Sequence, residues 1–393
     1  MKNRRIDIIV KYFYPVAAGI ETNIMETYSV LQKNGWDVNI HTTRDTLTSK
    51  NTLAKGDSLR GLDVLRYPSS FIGFVPNIDW KNADLICLHN FNVFPHFFIM
   101  LYTLGLKLFG RKKFKLILTP HGGFNPEWST FPVAHRYIKK LYHYTLGALL
   151  INLSVDCVRA VSEWEKNEII IHGVTKEIVK MIPNGIENEA YINVDKKASQ
   201  NIKDKVAQYG RYIIQVGRIY PIKNYETTIK SMVHIPKDVK YIIVGPKDHI
   251  MGKEDYEANL KKLAKDLGVS KRVIFAGVLR GVDKYYIIKH AQMMVHMALW
   301  ESFCNVVHEG LSQGLVCIVA NNTALPFLIK NNTHGYCVDT LDDRKVAEKI
   351  NYILNNKDSK IIKEMESKNA VFGLENSWKD IANRVNRLYK SIK

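Results

Sequence analysis

Two carboxylates, Glu301 and Glu309, stand on either side of an apolar run in WESFCNVVHEGLSQG, residues 300–314. If a helix begins near Asn305, Glu309 lies one turn inside it and Glu301 lies in the preceding loop, so both carboxylates can reach one ligand. Carboxylates accept hydrogen bonds from paired hydroxyls, as they do from ribose in dinucleotide-binding folds. The backbone amides of residues 303–306, at the start of the helix, suit a phosphate. The stretch therefore indicates a polyhydroxylated ligand that carries phosphate.

A structural reading of the same stretch also holds. Ser302 or Asn305 can cap the helix, because both side chains accept hydrogen bonds from the first backbone N–H groups. Acidic residues are favoured near the positive end of the helix dipole. The two readings are compatible, since the helix end that favours acids also presents amides to a phosphate.

Two cations follow an apolar strand pattern in YIIQVGRIYPIKNYETTIKSM, residues 212–232. The strand ends in Gly217, Arg218 comes next, and Lys223 stands five residues further on, before a helix. Arginine binds phosphate through paired N–H donors, and lysine binds it as a point charge. Each residue alone is typical of a protein surface, but together at a strand–loop–helix junction they indicate a diphosphate site.

Glycines also end the strand patterns of YIIVGPKD and VIFAGVLRG. Gly245 and Gly277 could let a flat nucleobase approach the backbone near Val278 and Leu279. This pattern taken alone has little specificity.

The N-terminal half offers two further candidates. A strand, a loop that ends in Gly19 and a helix would direct N–H groups towards an anion, but GxGxxG is absent, and Gly19 alone is as typical of a plain turn. His121 follows a strand in KLILTPHGGF. A lone histidine there is more often structural, yet its place at the carboxyl end of a strand favours function. The paired glycines Gly122 and Gly123 would allow close ligand approach.

Three other motifs have structural readings. Ser162 and Glu165 form the capping-box pattern at the start of a helix, and this reading explains both residues. Asn184-Gly185 is a turn dipeptide. Gly35 is typical of a helix C-cap.

Short β-branched runs alternate with helical patterns, which predicts βαβ units throughout the chain. Most runs are near-continuously apolar, as strands buried on both faces of a parallel sheet must be. The predicted strands are Ile6–Val10, Val38–Thr42, Leu85–His89, Leu116–Thr119, Val158–Val161, Tyr212–Val216, Tyr241–Val244, Val273–Phe275, Met294–His296 and Cys317–Val319. The predicted helices include Glu21–Asn34, Tyr225–Ser231, Tyr256–Leu267 and Asp283–Ala291.

A chain of 393 residues exceeds the size at which one core stops growing, and polar turn signals interrupt the alternation at 181–200. We therefore predict an α/β protein with two doubly wound, Rossmann-like domains, residues 1–190 and 191–375, facing an interdomain cleft where ligands bind. Residues 376–393 form a final helix. Its apolar stripe consists of Trp378, Ile381, Val385, Leu388 and Ile392.

The formal net charge of +18 indicates an anionic partner: nucleic acid, an acidic membrane surface or a phosphorylated substrate. Both halves are basic, with +6 up to residue 190 (23 basic minus 17 acidic residues) and +12 beyond it (33 minus 21). Basic residues are not interleaved with aromatic ones as a nucleic-acid groove requires, so no nucleic-acid partner is expected.

No segment is predicted to span a membrane. The strongest candidate, residues 91–110, contains Pro95, His96, Gly105 and Lys107 and is interpreted as a helix against the core, with an interfacial segment as the alternative. The basic N-terminus has too short an apolar run for a signal peptide and predicts a first strand, so a cytoplasmic protein is expected. Five cysteines without CxxC spacing predict buried thiols and no metal site.

In combination, these motifs resemble the retaining glycosyltransferases of the GT-B architecture, in the family 4 group of sugar-nucleotide-dependent enzymes. The resemblance runs in order over nearly the whole chain, so the joint match is specific although no single motif is. The matching segments are Gly19-Ile20-Glu21, PHGG, AVSEWEKNEI, IPNGIE, VGRIYPIKN, IIVG, VIFAG, ESFCNVVHEGLSQG with its E-x7-E form, and the final helix SWKDIANRVNRLY.

The resemblance implies a role for each matching site residue. Arg218 and Lys223 would hold the donor diphosphate and stabilise the charge on the departing nucleotide. Glu309 would bind the donor ribose, Glu301 would contact the transferred sugar, and His121 would face that sugar. These implied roles make Arg218, Lys223, Glu301 and His121 the catalytic residues.

Gly19 would let the donor phosphate approach the N-terminal domain, and the final helix would cross back onto that domain. The chain departs from the family pattern where Cys304 replaces a small residue, where Ala18 precedes Gly19, and where HMALWES lacks a proline-serine pair. These departures affect the inferred preference for a donor sugar more than the inferred fold. The implied donor-binding residues are Gly19, Gly217, Arg218, Lys223, Val278, Leu279, Glu301, Phe303, Cys304, Asn305, Val306 and Glu309.

The implied reaction moves a sugar, with retention, from a UDP-, GDP- or dTDP-linked donor to a hydroxyl of a glycan or lipid-linked glycan. The acceptor attacks from the leaving-group face, and neither glutamate is a nucleophile. The chain contains no Asp-x-Asp. Arg218, Lys223 and the helix amides would therefore replace a metal, and no cofactor is expected.

Two other functions fit parts of the sequence. A sugar-nucleotide epimerase shares the architecture but needs acid–base carboxylates in the cleft and no acceptor site. A basic nucleic-acid- or membrane-binding protein fits the charge but not the organised glycine, cation and carboxylate positions. The aromatic-rich 91–109 stretch and the basic cluster 110–115 indicate an anionic membrane surface as a further partner of the enzyme, on the cytoplasmic face.

Overall fold

The chain forms two compact units in a computed structural model, Met1–Gly185 together with Trp378–Lys393, and Ile186–Ser377. The first change of unit falls after Gly185, earlier than the predicted 190, because residues 186–194 pack around Tyr285 of the second unit. The residues that the structure describes are 4–16, 18–70, 73–91, 94–247 and 255–392.

The first unit is built on an eight-stranded sheet with the order β3-β4-β2-β1-β5-β6-β7-β8. Neighbouring strands are parallel except for the antiparallel pair β3 and β4. The strands are β1 Arg4–Ile9, β2 Trp36–Thr43, β3 Gly56–Leu59, β4 Leu62–Tyr67, β5 Leu85–His89, β6 Lys115–Thr119, β7 Cys157–Ala160 and β8 Val179–Met181.

Helices cover both faces of this sheet, because successive side chains of a buried strand point to opposite sides. In β1, Ile6 and Ile8 join one apolar cluster, which includes α1, and Ile9 joins another, which includes α2, α4 and α5. A π-helical turn, His143–Gly147, joins α3 to α4. The helices of this part are α1 Gly19–Lys33, α2 His96–Leu108, α3 Val133–Tyr142, α4 Ala148–Ser154 and α5 Glu163–Ile171.

The second unit contains a six-stranded sheet with the order β11-β10-β9-β12-β13-β14, in which all paired strands are parallel. Its strands are β9 Tyr212–Val216, β10 Lys240–Val244, β11 Val273–Gly277, β12 Met294–His296, β13 Cys317–Ala320 and β14 Gly335–Val338. Its helices are α6 Val194–Lys197, α7 Gln200–Tyr209, α8 Tyr225–Ser231, α9 Tyr256–Asp266, α10 Gly281–Lys289, α11 Asn305–Ser312, α12 Leu325–Ile329, α13 Asp343–Asn355 and α14 Lys360–Gly373.

Short 3₁₀ turns connect several of these elements. They are Trp128–Thr130, Lys176–Ile178, Asn188–Tyr191, Pro221–Lys223, Met232–His234 and Ser270–Arg272. Among the described residues, no helix combines the length and the apolar content that crossing a membrane would require.

All ten predicted strands are present, with ends within two residues of the prediction. Four strands were not predicted, namely β3, β4, β8 and β14. No residue of β3 is buried, buried and exposed residues alternate along β4, β8 has only three residues, and β14 begins with a glycine. None of the four therefore has the apolar run of a strand buried on both faces.

The final helix, α15 (Trp378–Ser391), packs against α1 in the first unit. Trp378, Ile381 and Val385 of the predicted stripe are fully or almost fully buried. Tyr389, which was not on the predicted stripe, is also buried, and its hydroxyl lies 2.7 Å from that of Tyr28.

The turn predicted at Asn184-Gly185 is wrong. The chain is not folded into a turn there, and Asn184 is buried with its Oδ1 accepting a hydrogen bond of 2.7 Å from Asn23. A Cβ on Gly185 would lie 2.6 Å from the Cα of Trp378. Gly185 is therefore required by the close approach of α15 rather than by a turn. Gly35 has a φ of +87° just beyond α1, as the C-cap prediction requires.

Gly245 is also explained by backbone packing. Its N–H donates to the carbonyl of Gly277, and a Cβ on Gly245 would lie 1.9 Å from the carbonyl oxygen of Gly217. The glycines that end β9 and β10 are thus in direct contact, so the absence of a side chain at 245 needs no bound base to account for it. By contrast, a Cβ on Gly277 would meet nothing within 4 Å.

We predict that Gly245→Ala lowers the free energy of unfolding by about 3 kcal/mol or more, because two backbone segments would have to separate. Gly105→Ala is the matched control. A Cβ there meets nothing within 4 Å, and alanine in a helix interior gains about 0.5–1 kcal/mol over glycine. Urea unfolding measures both variants, and an unchanged value for Gly245→Ala would contradict the packing argument.

Candidate active site

The strand order of the second unit places a topological switch point between β9 and β12. Counted in chain order within this sheet, the order is 3-2-1-4-5-6, and the connections leave β9 and β12 in opposite directions. Ligands of such sheets bind outside the carboxyl ends of the strands at this point. The loops after Val216 and after His296 are therefore the expected ligand-binding loops.

A buried carboxylate joins these two loops. Lys223 Nζ lies 2.5 Å from Oε1 of Glu301, and Nε2 of His296 lies 2.8 Å from the same oxygen. Glu301 is 8% exposed and His296 is completely buried. The structure thus brings together two of the predicted donor-site residues, Lys223 and Glu301, and adds a histidine that the sequence analysis did not select.

The charges in this cluster favour ionised Glu301. Burial alone would raise the pKa of Glu301, but Lys223 and the hydrogen bond from His296 outweigh burial and lower the pKa to about 2. Burial lowers the pKa of His296 even though Glu301 opposes this effect. A neutral His296 must carry its proton on Nε2 to donate to the carboxylate. Its Nδ1 is buried without a hydrogen-bond partner among the described residues.

Main-chain contacts fix the position of Lys223. Gln215 in β9 donates from Nε2 to the carbonyl of Lys223 at 3.0 Å, and the N–H of Leu299 donates to the carbonyl of Ile222 at 2.8 Å. Asn224 has a φ of +47° and donates from Nδ2 to the carbonyl of Met297 at 2.8 Å. The loop after β9 is therefore held against the end of β12.

Arg218 lies at the start of this loop and is half-buried, with its guanidinium carbon 6.0 Å from the ring centre of Tyr220. The backbone around Arg218 is held by Tyr225, whose hydroxyl donates to the carbonyls of Gly217 (2.9 Å) and Arg218 (3.2 Å). The loop therefore presents a second cation at the carboxyl end of β9.

The helix after Glu301 begins at Asn305 as predicted, but the predicted cap is wrong. Neither Ser302 nor Asn305 is the N-cap residue. That residue is Cys304, which has a φ of +77° and makes no capping hydrogen bond with its side chain. A cysteine in this left-handed region is unusual, since glycine adopts it without cost. No side chain at the N-cap position therefore competes for the first amides of α11.

Three potential metal ligands lie together at this point. Single ligand atoms of His296, Glu301 and Cys304 are all within 4.8 Å of one another. Burial raises the pKa of the Cys304 thiol well above its usual value, which disfavours the thiolate that metals bind. The Lys223 ammonium already contacts the carboxylate, so a cation bound there would have to displace it.

Glu309 forms an ion pair with a lysine of α10. Nζ of Lys284 lies 3.0 Å from Oε1 of Glu309 and 2.7 Å from Oε2 of Glu187. Burial raises the pKa of Glu309, and Lys284 opposes this effect. Oε2 of Glu309 is buried without a hydrogen-bond partner among the described residues, so it can still accept a hydroxyl hydrogen bond.

The remaining predicted donor residues have different surroundings. Phe303 is buried, with its ring centre 5.7 Å from that of His308. Asn305 and Val306 are half-buried in the first turn of α11, and Leu279 is half-buried after β11. Val278 is 50% exposed.

His121 and Gly19 belong to the first unit. Gly19 begins α1, and the preceding N–H of Ala18 donates to Oε2 of Glu21 at 2.9 Å. His121 follows β6, the strand next to β5, in a left-handed conformation with a φ of +51°. Of the predicted residues, these two are held by contacts within the first unit, whereas the cation and carboxylate residues lie in the second.

A chain of hydrogen bonds leads from His121 into the core of the first unit. Nε2 of His121 lies 2.9 Å from Nδ1 of His89, and Nε2 of His89 lies 2.9 Å from the hydroxyl of Tyr28. Tyr28 in turn contacts Tyr389 of α15. Burial, with a smaller contribution from Arg159, lowers the pKa of His121 to about 3, so both ends of the His121–His89 bond are neutral at ordinary pH.

Glu165 forms hydrogen bonds that the predicted capping box does not include. Ser162 accepts the N–H of Glu165 at 3.1 Å, as the motif requires. The carboxylate does not return the bond to Ser162 but accepts the N–H groups of Gly122 and Val161. Glu165 therefore fixes the loop that carries His121.

The second glycine of that loop, Gly123, is also structural, because a Cβ there would lie 1.9 Å from Oδ1 of Asn90 and 2.7 Å from the backbone nitrogen of Phe91. The prediction that Gly123 leaves space for a ligand is wrong, since the chain itself fills that space.

Sequence reasoning missed His296, Lys284 and Glu165 as parts of these clusters. His296 ends a predicted strand at the edge where ligands bind, which was a usable signal. Lys284 lies in α10 and Glu187 lies 97 residues before it, so no local pattern connects either residue with Glu309.

Two family models match the chain. One, described as "Glycosyl transferases group 1", matches residues 197–371, and the other, "Glycosyltransferase Family 4", matches residues 17–190. The chain belongs to the group 1 glycosyltransferases. The two matches account for most of the fold described above, including both loops of the switch point.

Curated relatives of this group 1 glycosyltransferase include an uncharacterized glycosyltransferase of Methanocaldococcus jannaschii, 28% identical over 318 residues that cover 75% of each chain. Another is the UDP-Gal:alpha-D-GlcNAc-diphosphoundecaprenol alpha-1,3-galactosyltransferase of Escherichia coli. It is 27% identical over 240 residues, 56% of this chain and 58% of its own. Among solved structures, HepE of Anabaena in complex with UDP and glucose has the same fold, with a TM-score of 0.75 over 99% of this chain and 100% of its own at 17% identity.

The buried carboxyl of Glu165 gives this group 1 glycosyltransferase a testable pH dependence. Burial raises the pKa of Glu165 from 4.5 to about 7, against the two backbone N–H donors. The folded state therefore binds a proton more tightly than the unfolded state. The stabilising contribution is complete below about pH 4.5 and is lost as the pH rises to about 7, by up to about 3 kcal/mol.

Glu165→Gln should remove this part of the pH dependence. Urea unfolding of both proteins between pH 5 and pH 8 would then show a wild-type free energy that falls relative to the variant as the pH rises. Glu163→Gln, at the partly exposed start of the same helix, is the control and should keep the wild-type slope. Parallel profiles for the wild type and Glu165→Gln would contradict the raised pKa.

Proposed function

We propose that this enzyme transfers a sugar with retention and without a metal, from a nucleotide-sugar donor to a hydroxyl of a glycan or lipid-linked glycan. The observation that carries the proposal is the cluster of Lys223, Glu301 and His296 at the switch point, with Arg218 on the same loop.

The donor diphosphate would bind between Arg218, Lys223 and the first amides of α11. In the transition state negative charge develops on the departing diphosphate, and cations held in place beforehand stabilise it without reorganisation. Glu301 would position Lys223 and accept a sugar hydroxyl. The unpartnered Oε2 of Glu309 supports a contact with the ribose hydroxyls.

Two pKa values support retention. An inverting transfer needs a general base with a pKa near the working pH. Glu301 has a pKa of about 2 and His121 of about 3, so both are poor bases at neutral pH. Proton transfer from the acceptor to an oxygen of the departing phosphate, on the same face, avoids the need for such a base.

Metal independence rests on the charge already present. Arg218 and Lys223 supply two positive charges where a metal would otherwise neutralise the diphosphate. The Lys223–Glu301 contact at 2.5 Å further disfavours a divalent cation at the carboxylate.

A lipid-linked acceptor is supported by the Escherichia coli relative, whose name gives a diphosphoundecaprenol-linked GlcNAc as acceptor. The basic 110–115 cluster would place such an enzyme at the cytoplasmic face of a membrane. The donor of that relative is UDP-Gal, and HepE was solved with UDP, which makes UDP-sugars the first donors to test.

We predict that one nucleotide sugar among UDP-, GDP- and dTDP-linked sugars raises the melting temperature, because a ligand at 100 times its Kd adds about 2.7 kcal/mol to the stability. Arg218→Ala should weaken this binding at least about tenfold, through the loss of a charge-assisted phosphate contact. Arg211→Ala, which removes an exposed arginine paired with Asp238 in the same unit, is the matched control. An unchanged shift in Arg218→Ala would remove Arg218 from the donor site.

Proton NMR of the first product should show the anomeric configuration of the donor, and dialysis against EDTA should leave the initial rate unchanged. Nucleotide should be released in proportion to the glycosylated acceptor formed. An inverted product would disprove retention, a rate restored only by Mg²⁺ or Mn²⁺ would disprove metal independence, and conversion of the donor into an isomer without any acceptor would indicate an epimerase.

A further inference from the structure

A buried polar network in the first unit has no role in the proposed reaction beyond its last member, His121. It consists of Cys87, Tyr389, Tyr28, His89 and His121, joined in this order. Sγ of Cys87 lies 3.7 Å from the hydroxyl of Tyr389, and the three following contacts are 2.7, 2.9 and 2.9 Å long. All five side chains are buried, and His121 is the most exposed of them, at 8%. The network therefore leads from the core to the loop after β6.

His89 couples the two ends of this network. Burial lowers the pKa of His89 well below its usual value, so the ring is neutral, with one N–H group and one unprotonated nitrogen. Both nitrogens are used, because Nε2 contacts the hydroxyl of Tyr28 and Nδ1 contacts Nε2 of His121. If Nε2 of His89 accepts, Nδ1 must donate, and the reverse also holds. The direction of the bond to Tyr28 therefore decides the direction of the bond to His121.

The chemistry of the two groups determines that direction. An imidazole nitrogen is a stronger base than a phenolic oxygen, and a phenol is the stronger acid, with a pKa of about 10. The hydroxyl of Tyr28 therefore donates to Nε2 of His89. The oxygen of Tyr28 then accepts from Tyr389, which accepts from the thiol of Cys87, so each contact contains one proton. In the opposite direction the hydroxyl of Tyr389 would have to donate to sulfur, a weak acceptor.

His121 consequently carries its proton on Nδ1. Burial lowers the pKa of His121 to about 3, so this ring is also neutral, and its Nε2 accepts the bond from His89. Nδ1 of His121 makes no hydrogen bond to any residue that the structure describes. The loop itself is held where the N–H of Gly122 donates to Glu165. The network thus leaves one N–H donor in a fixed position at the carboxyl end of β6, and a bound molecule can satisfy it.

We propose that Tyr28 and His89 are positioning residues that hold His121 in the tautomer with its proton on Nδ1, so that His121 donates a hydrogen bond to an oxygen of the transferred sugar. The identity of the ligand rests on the proposed function, whereas the tautomer does not. A donor that is already oriented needs no rearrangement when the sugar binds. His121 is then a hydrogen-bond donor in the reaction and not a general base.

NMR of the full chain labelled with ¹⁵N-histidine tests the tautomer without any substrate, because protonated and unprotonated ring nitrogens have well-separated chemical shifts. The signals of His121 are those that are missing from His121→Ala. In the wild type, Nδ1 of His121 should have the shift of a protonated nitrogen and Nε2 that of an unprotonated one. A proton on Nε2 of wild-type His121 would overturn the proposal, and this measurement requires no variant of the network to fold.

Two phenylalanine variants test the role of Tyr28. Tyr28→Phe removes the donor to His89, so His121 should show a mixture of both tautomers, with shifts between the two limits. Tyr389→Phe is the matched control, because it removes the same bond between the two tyrosines but leaves the hydroxyl of Tyr28 able to donate to His89. It should keep the wild-type signals. Unchanged His121 signals in Tyr28→Phe, or the same change in both variants, would overturn the role of Tyr28.

Kinetics connect the tautomer with the sugar. Tyr28→Phe should lower kcat/KM for the nucleotide sugar about tenfold, as expected for one lost hydrogen bond. The Kd for the nucleoside diphosphate should not change, because this ligand carries no sugar. The kinetic control is Tyr212→Phe, which removes a buried hydroxyl that donates to the carbonyl of Ile287 at 2.6 Å in the second unit.

The two measurements separate the possible failures. An unchanged kcat/KM in Tyr28→Phe, together with altered His121 signals, would overturn the contact with the sugar. A wild type that has the expected tautomer but forms no product from any nucleotide sugar would contradict the proposed function, and the assignment of the tautomer would stand.

Discussion

The buried carboxylate of Glu301 is the constraint on which the candidate site depends. An ionised carboxylate inside a protein is costly unless it is paired and hydrogen-bonded. Here one oxygen meets both Lys223 and His296, so the loop after β9 cannot move away from the end of β12 without leaving a buried charge unpaired. The same interaction keeps Glu301 ionised. The carboxylate can therefore bind cations and accept hydrogen bonds from hydroxyls, but it is a poor proton acceptor.

Around this carboxylate, backbone geometry and not side-chain capping shapes the start of α11. Cys304 takes the left-handed conformation that brings the chain from Glu301 into the helix, and its side chain does not satisfy the first amides. Further along α11, Glu309 is balanced by Lys284 of α10 but keeps one oxygen without a protein partner. A polar ligand at the switch point can supply the hydrogen bonds that these amides and this carboxylate oxygen lack. The arrangement therefore supports donor binding more strongly than any single residue does.

The first unit uses buried polar groups in a different way. His121 is joined through His89 and Tyr28 to Tyr389, so a helix at the far end of the sequence contributes to the surroundings of a loop near residue 121. Glu165 holds the next residue of that loop by accepting its N–H.

The sequence by itself determined ten of the fourteen described strands, the parallel-sheet fold and the start of α11, because apolar runs and the rule that parallel strands end at one edge are local or topological properties. It could not determine the partners of buried groups. Lys284 with Glu309 and Gly185 against Trp378 join residues distant in sequence, and a glycine required by close backbone approach looks the same as one in a turn. Tertiary structure decided these cases, because desolvation, ion pairing and steric contact depend on which distant atoms become neighbours.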